Sequence, residues 1–310
     1  MTDATAPSTG LMQSVWANPI LLLVITTLVW GAHSIVGRLA VGQIGPMTLV
    51  TLRWAVALVP IFITARPSLR QDWPALRARW VYLTIMGASG FTAFNALFYL
   101  AAHHTTALNL SIIQGAIPAL VLLGARVFLG VRFTALQALG ALVTMIGVAV
   151  IAAQGDLARL AALAFNSGDV MMVMGAVLYA GYTIGLRQRP HVSGVSMLAA
   201  MALAAFVTSV PLMIWEIMSG GFVWPTAVGL LALAFAALGP AFFAQLTYMR
   251  GVQLIGPGRA GVFVNLVPIF GVIMAVVILG EPFALYQVLA LLLVVGGIAI
   301  AQRGAAGAQR

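Results

Sequence analysis

Ten separate runs of apolar residues, each long enough to cross a bilayer, dominate this 310-residue chain. A membrane-spanning helix needs roughly 20 such residues. The runs fall at about 19–41, 46–65, 80–101, 106–129, 133–153, 169–188, 193–217, 226–249, 259–280 and 283–302. They are continuous rather than alternating, so helices are expected and barrel strands are not. Turn chemistry separates them, as at Arg66-Pro67, Asp72-Trp73-Pro74, Gln154-Gly155-Asp156 and Gly256-Pro257-Gly258. With 62% apolar and only 7% charged residues, a water-soluble fold is excluded. Too little chain remains between the runs for an extramembrane domain.

The cations are 15 Arg and no Lys. Counted by side, twelve fall with the N-terminus: Arg66, Arg70, Arg77, Arg79, Arg126, Arg132, Arg187, Arg189, Arg250, Arg259, Arg303 and Arg310. Arg38 and Arg159 fall opposite, and Arg53 lies inside the second run. This bias predicts an inner-membrane protein with both termini in the cytoplasm. It also accounts for the net charge of +9 without nucleic acid as a partner. The absence of cysteine removes disulfides, zinc thiolate sites and thiol nucleophiles. Residues 1–18 hold Asp3 and no Arg, so they lack the basic segment of a cleaved signal, and the first run is expected to stay in the membrane.

An internal repeat organises the chain. Residues 117–152 align with 267–302 at a spacing of 150 with 11 identities in 36 positions. Pro118/Pro268, Gly130/Gly280, Phe133/Phe283, Gln137/Gln287 and Gly147/Gly297 are the pairs least explained by apolar bias. At a spacing of 149, Trp30 meets Tyr179, His33 meets Tyr182 and Arg38 meets Arg187. The unit holds five spans. An odd number forces the second copy to enter the membrane upside down. Two inverted copies can exchange conformations about a mid-membrane site, which predicts alternating-access transport. The expected layout is a tail over 1–18, a first repeat over 19–153, a periplasmic loop over 154–168, an inverted repeat over 169–302 and a tail over 303–310. The fold class is thus an all-α membrane protein with a central cavity.

Trp30-Gly31 in the first span, Arg53 in the second, Pro118 and Pro268, and Leu279-Gly280-Glu281 at the end of the ninth resemble the drug/metabolite transporter superfamily, in its EamA-type ten-helix branch. One departure is clear. The family often ends its fourth span with Gly-Glu, and here the pair is Gly130-Val131. The resemblance covers about residues 19–302 and is nearest to bacterial exporters of aromatic and other amino acids. It implies export of a metabolite, amino acid or drug, and does not fix which.

Polar and aromatic side chains inside spans mark an interior face or a water-filled path. Trp30, His33 and Ser34 share one face of the first span. Asn95 and Tyr99, with Phe98 beside them, form a face of the third. Tyr179 and Tyr182 lie in the sixth span, Gln245 and Tyr248 in the eighth. Gln114 and Asn265 each precede a helix proline. These twelve are the expected substrate contacts, with interhelical packing and hydrogen bonding as the alternative. Trp30 lies about 16 Å into its span, close to mid-membrane, which favours the cavity over an interfacial anchor. His33 could relay protons or be a neutral, hydrogen-bonded imidazole. Arg53 is expected to be structural or gating, like Pro118 and Pro268, with carboxylate binding as its alternative.

The six acids, Asp3, Asp72, Asp156, Asp169, Glu216 and Glu281, all lie in tails, loops or span ends. A carrier of cations would need a buried anion, and a carrier of phosphorylated solutes would need several buried cations. A net-neutral solute, including a zwitterionic amino acid, fits better, moved by facilitation. Small molecules and the lipid bilayer are the expected partners, with no cofactor or metal, and a monomer suffices. Gly87-Ala88-Ser89-Gly90 spells the G-x-S-G of intramembrane serine proteases. That chemistry needs a neighbouring base, and helix packing explains the glycines equally well. Exporters of drugs, sugars or nucleosides, and a lipid flippase, remain alternatives on the same fold.

Overall fold

The computed structural model describes residues 15–130, 134–152, 154–156, 166–255, 260 and 263–307. Ten helices cover these residues. They are α1 (Pro19–Leu39), α2 (Pro46–Ala78), α3 (Trp80–Ala102), α4 (Ala107–Leu129), α5 (Ala135–Ala152), α6 (Ser167–Gly185), α7 (Gly194–Met218), α8 (Ala227–Ile255), α9 (Leu266–Leu279) and α10 (Leu285–Gly307). Among the described residues there is no strand. Eight helices are long and apolar enough to cross a membrane, and α5 and α9 are shorter apolar helices. The tails over 1–14 and 308–310, the loop over 157–165, Val131, Gly256-Pro257-Gly258 and Arg132, Arg159, Arg259 and Arg310 lie outside the described residues.

Local chemistry sets the helix boundaries. Asn18 accepts from Leu21 N at 3.1 Å and Pro19 takes the first helical position of α1. Thr106, Asn166, Ser193 and Thr226 cap α4, α6, α7 and α8 in the same way. Helices α4 and α9 end on Gly130 and Gly280 with φ of +64° and +65°, a left-handed conformation that glycine adopts freely. One boundary departs from expectation. Helix α2 does not stop at residue 65 but continues to Ala78 through Pro67 and Pro74. Its 33 residues make it about 50 Å long, well beyond the roughly 30 Å of hydrocarbon. A proline forfeits one backbone bond, which solvent can supply at the membrane surface, so both prolines are tolerated there.

The face at the start of α1 is called the near face and the opposite one the far face. Helix α10 runs back to the near face, where Gly304 packs against Thr134 and Gln137 at the start of α5. The two repeats meet along α5 and α10. A Cβ on Gly140 would collide with the Gly297 carbonyl, and one on Gly147 would lie 2.9 Å from the Ala290 carbonyl. Gly147 and Gly297 are repeat mates at a spacing of 150, and so are Gly140 and Ala290. Each half therefore offers the same pair of positions to the other, as a twofold axis requires. Thr144 sits on that axis, donating from Oγ1 to the carbonyl of its own mate, Val294, at 3.5 Å.

Small residues make this approach possible, as in other membrane helix pairs. A Cβ at Gly297 would lie 2.6 Å from Gly140 O. At Gly296, on the adjoining face, it would meet nothing within 4 Å. Gly297→Ala is therefore expected to destabilise the detergent-solubilised protein by about 1–3 kcal/mol through overpacking. Gly296→Ala should leave the melting temperature near its parent value. Equal melting of the two variants would contradict a close glycine contact on the axis.

Candidate functional site

A cavity of about 150 Å³ lies between the two halves. That volume accommodates a group the size of one benzene ring. Its wall follows the repeat. Gly90/Pro240, Phe91/Ala241, Asn95/Gln245, Gln114/Val264, Gly115/Asn265, Ile117/Val267 and Pro118/Pro268 are mates at a spacing of 150, and Trp30/Tyr179 at 149. These eight pairs supply 16 of the 20 lining residues. The other four are His33, Arg53, Trp54 and Phe94, all from the first half.

The backbone is irregular where it meets the cavity. Helix α3 is π-helical over Ala88–Ala93, and α8 over Gly239–Phe243, the equivalent stretch of the second half. Such bulges turn side chains out of the regular helical register. Helix α4 breaks at Gly115-Ala116, and residues 264–265 form a turn before α9. Gly115 lets the helices approach: a Cβ there would lie 3.0 Å from Cγ of Pro268.

One polar cluster stands in this wall. Arg53, only 3% exposed, donates from Nη1 to Asn95 Oδ1 and to Tyr99 OH at 2.9 Å, and Nη1 lies 3.2 Å from His33 Nε2. Tyr99 OH also lies 2.8 Å from His33 Nε2. Asn95 Nδ2 donates to Phe91 O, which fixes its carbonyl oxygen toward Arg53. The Arg53 guanidinium carbon lies 5.2 Å from the Trp54 ring centre, and Trp54 stacks on Phe91 at 4.8 Å.

Of the twelve expected contacts, Trp30, His33, Asn95, Gln114, Tyr179, Gln245 and Asn265 line the cavity. Arg53, Pro118 and Pro268 join them. Ser34, Phe98, Tyr99, Tyr182 and Tyr248 do not reach it and instead support residues that do. Ser34 Oγ accepts from Gln114 Nε2 at 3.0 Å. Phe98 stacks under His33 at 4.6 Å, and Tyr248 lies against Trp30 at 5.2 Å. Tyr182 fills the space that a Cβ on Gly90 would need. Trp54, Phe91, Phe94, Pro240 and Ala241 also line the cavity and are not among the expected contacts. Extending the spacing of 150 from Gly90 and Phe91 leads to Pro240 and Ala241. Trp54 follows Arg53 directly. Ser89 of the G-x-S-G segment donates to its own helix, at Ile85 O, 2.8 Å. Gly87 and Gly90 pack against α7 and Tyr182, so both glycines serve helix packing.

Acidic side chains tie the helix ends together outside the cavity. On the far face, Glu216 at the end of α7 accepts from Met47 N and Thr48 N at the start of α2, both at 2.9 Å. Its carboxylate occupies the place of a Cβ on Gly45. Glu281, beyond α9, accepts from Ala107 N and Leu108 N at the start of α4, both at 3.0 Å. Asp169 accepts from Thr105 Oγ1 at 2.6 Å and from Asn109 Nδ2, and Gln287 donates to Asn109 Oδ1 at 3.1 Å. A carboxylate on a helix N-terminus satisfies free amides and the helix dipole together. On the near face, Asp72 of α2 accepts from Ser193 N at 3.1 Å at the start of α7. Hydrogen bonds from Ser196 and Ser193 hold the Asp72 carboxyl below its ordinary range. That tie is therefore present at neutral pH and is lost only as pH falls below about 4.

A duplicated ten-helix bundle with a cavity between its halves is the architecture of a multi-pass membrane transporter. Residues 17–153 and 166–302 each match the EamA-like transporter family, and the chain belongs to that family. It is 26% identical over 286 residues to YyaM, an uncharacterized transporter of Bacillus subtilis, covering 91% of this chain and 92% of that one. It is 27% identical over 273 residues to a probable terminal-alkyne amino-acid exporter of Streptantibioticus cattleyicolor, covering 87% of each. One solved crystal structure superposes with a TM-score of 0.65 over 94% of this chain and 99% of its own, at 20% identity, which shows the shared fold.

The far-face ties should be separable from the cavity by labelling. The chain has no cysteine, so Ser111→Cys would be the sole thiol. Ser111 is fully buried, and Gly271 of α9 lies against it. Adding Glu281→Gln is expected to raise its labelling by a membrane-impermeant maleimide about tenfold, as one charge-assisted cap is lost. An unchanged rate would show that Glu281 does not hold α4 against α9.

Proposed function

We propose that this protein exports small net-neutral metabolites, amino acids foremost, across the bacterial inner membrane by alternating access. The observation that carries the reading is the cavity wall. It is symmetric in its frame, aromatic and amide-bearing in its chemistry, and holds one cation and no acid. A permanently cationic drug finds no counter-charge there. A phosphorylated solute brings more negative charge than one Arg can offset. A zwitterion needs one cation, one or more acceptors and an apolar pocket for its side chain, and all three line the cavity. The Streptantibioticus relative, named as a probable exporter of an amino acid, agrees with this chemistry.

The two exchanging units are residues 19–153 and 169–302, acting within one monomer, with both termini cytoplasmic because Arg residues crowd the near face. The far face is then periplasmic, and its Glu216 and Glu281 ties hold it shut in this conformation. With His33 held between Arg53 and Tyr99 and no acid in the wall, the cavity offers no carboxylate to couple a proton to the solute. Transport is therefore facilitated diffusion down the solute gradient.

Proteoliposomes loaded with labelled leucine or phenylalanine test this directly. Downhill efflux should exceed that of glucose and of a cationic dye at least tenfold, and should survive collapse of the proton gradient. Trp30→Ala and Asn95→Ala should each slow amino acid efflux by about tenfold or more while folding is retained. Preferred efflux of glucose or dye would replace the substrate class. Strict dependence on the proton gradient would replace the mechanism.

A further inference from the structure

The four lining residues without a lining mate all come from the first half, and one of them is the only cation in the wall. When the halves are aligned on Pro60 and Pro211, the α7 residues equivalent to Arg53 and Trp54 are Ala204 and Ala205. Arg53 therefore has no place in the symmetric frame that conformational exchange requires. Its charge is permanent, it is almost fully buried, and it forms no ion pair among the described residues. An uncompensated buried cation is costly, and a purely structural role would be met by a neutral donor.

The hydrogen bonding of Arg53 is one-sided. Its described hydrogen-bond contacts are all at Nη1. They lock the side chain in position and leave the opposite Nε–Nη2 edge unused. Nε is buried without a partner. That edge presents two parallel N–H groups, the fork that binds a planar carboxylate. Two other buried atoms among the described residues lack partners, Trp54 Nε1 and Asn265 Oδ1, and both residues line the same cavity. The orphans are thus two donors on α2 and one acceptor beside α9, across the halves from one another.

We infer that the cavity binds a solute by a single carboxylate docked on the Nε–Nη2 edge of Arg53, beside the Trp54 indole N–H. The amino group of the solute is directed at Asn265 Oδ1. Arg53 is thereby a substrate-binding residue rather than a structural one. The inference deepens the amino acid reading and rests on it only for the amino group.

Three ligands of one carbon skeleton separate the possibilities on the unmodified full-length protein: L-leucine, 4-methylpentanoate, which lacks the amine, and isoamylamine, which lacks the carboxylate. Binding is read from the rise in melting temperature of the detergent-solubilised protein with ligand concentration. Leucine and 4-methylpentanoate are expected to bind about 10- to 100-fold more tightly than isoamylamine. Arg53→Gln should abolish that preference, and Arg53→Lys should restore part of it. If 4-methylpentanoate binds while leucine is neither bound nor transported, the carboxylate dock stands and the amino acid reading falls. If isoamylamine binds as tightly as leucine, the dock is overturned and the amino acid reading stands. If neither carboxylate binds, the dock is overturned as well.

Discussion

In hydrocarbon, every backbone N–H and C=O must find its partner within the protein, and the rest of this structure follows from that constraint. It forces the ten helices. It also governs where they can be interrupted. Irregular backbone at membrane depth is tolerated only where it lines a cavity or is covered by protein. The π-helical turns of α3 and α8, the break at Gly115-Ala116 and the turn at 264–265 all border the same hollow. The cavity is thus the place where the bundle departs from regular helix, in matching places of both halves. Free backbone groups and re-aimed side chains arise there together.

Symmetry and chemistry divide the labour. Eight pairs of mates build the wall, and the glycine contacts of α5 with α10 are reciprocal across the axis. A reciprocal frame lets each half adopt the shape of the other at similar energy, as alternating access requires. Recognition has no such requirement, because the solute itself is asymmetric. The residues that break the symmetry, His33, Arg53, Trp54 and Phe94, are accordingly those that give the cavity its charge and much of its aromatic surface. A solute with one anionic end matches a wall with one cationic side.

Much of this was legible before any coordinates. Apolar run length gave the helices, odd repeat parity gave the inversion, and seven of the twelve polar and aromatic residues picked out inside apolar runs line the cavity. The misses have physical causes. Ser34, Phe98, Tyr99, Tyr182 and Tyr248 sit on the expected helix faces, but a face is wider than a cavity, and which residues reach it depends on helix rotation and π-bulges that periodicity does not encode. Trp54 and Phe94 look like ordinary core aromatics until their neighbours are known. Helix α2 overran its expected end because a proline in a wetted terminal segment costs less than one in hydrocarbon. A lone intramembrane Arg has several solutions, and hydrogen bonding confined to Nη1 becomes visible only in the folded chain.

The departure at Val131 acquires meaning from the ties at the helix ends. Glu281 bridges the end of α9 to the start of α4, and its repeat mate at a spacing of 150 is Val131, which has no carboxylate. The α2–α7 pair is tied on both faces, by Asp72 near and Glu216 far. The α4–α9 pair has its acid on the far face alone. Each charge-assisted bond contributes about 1.5–3 kcal/mol, comparable to the gap between two exchanging states. A tie at one end of the α4–α9 pair that the repeat mate does not reproduce at the other therefore weights the two ends unequally.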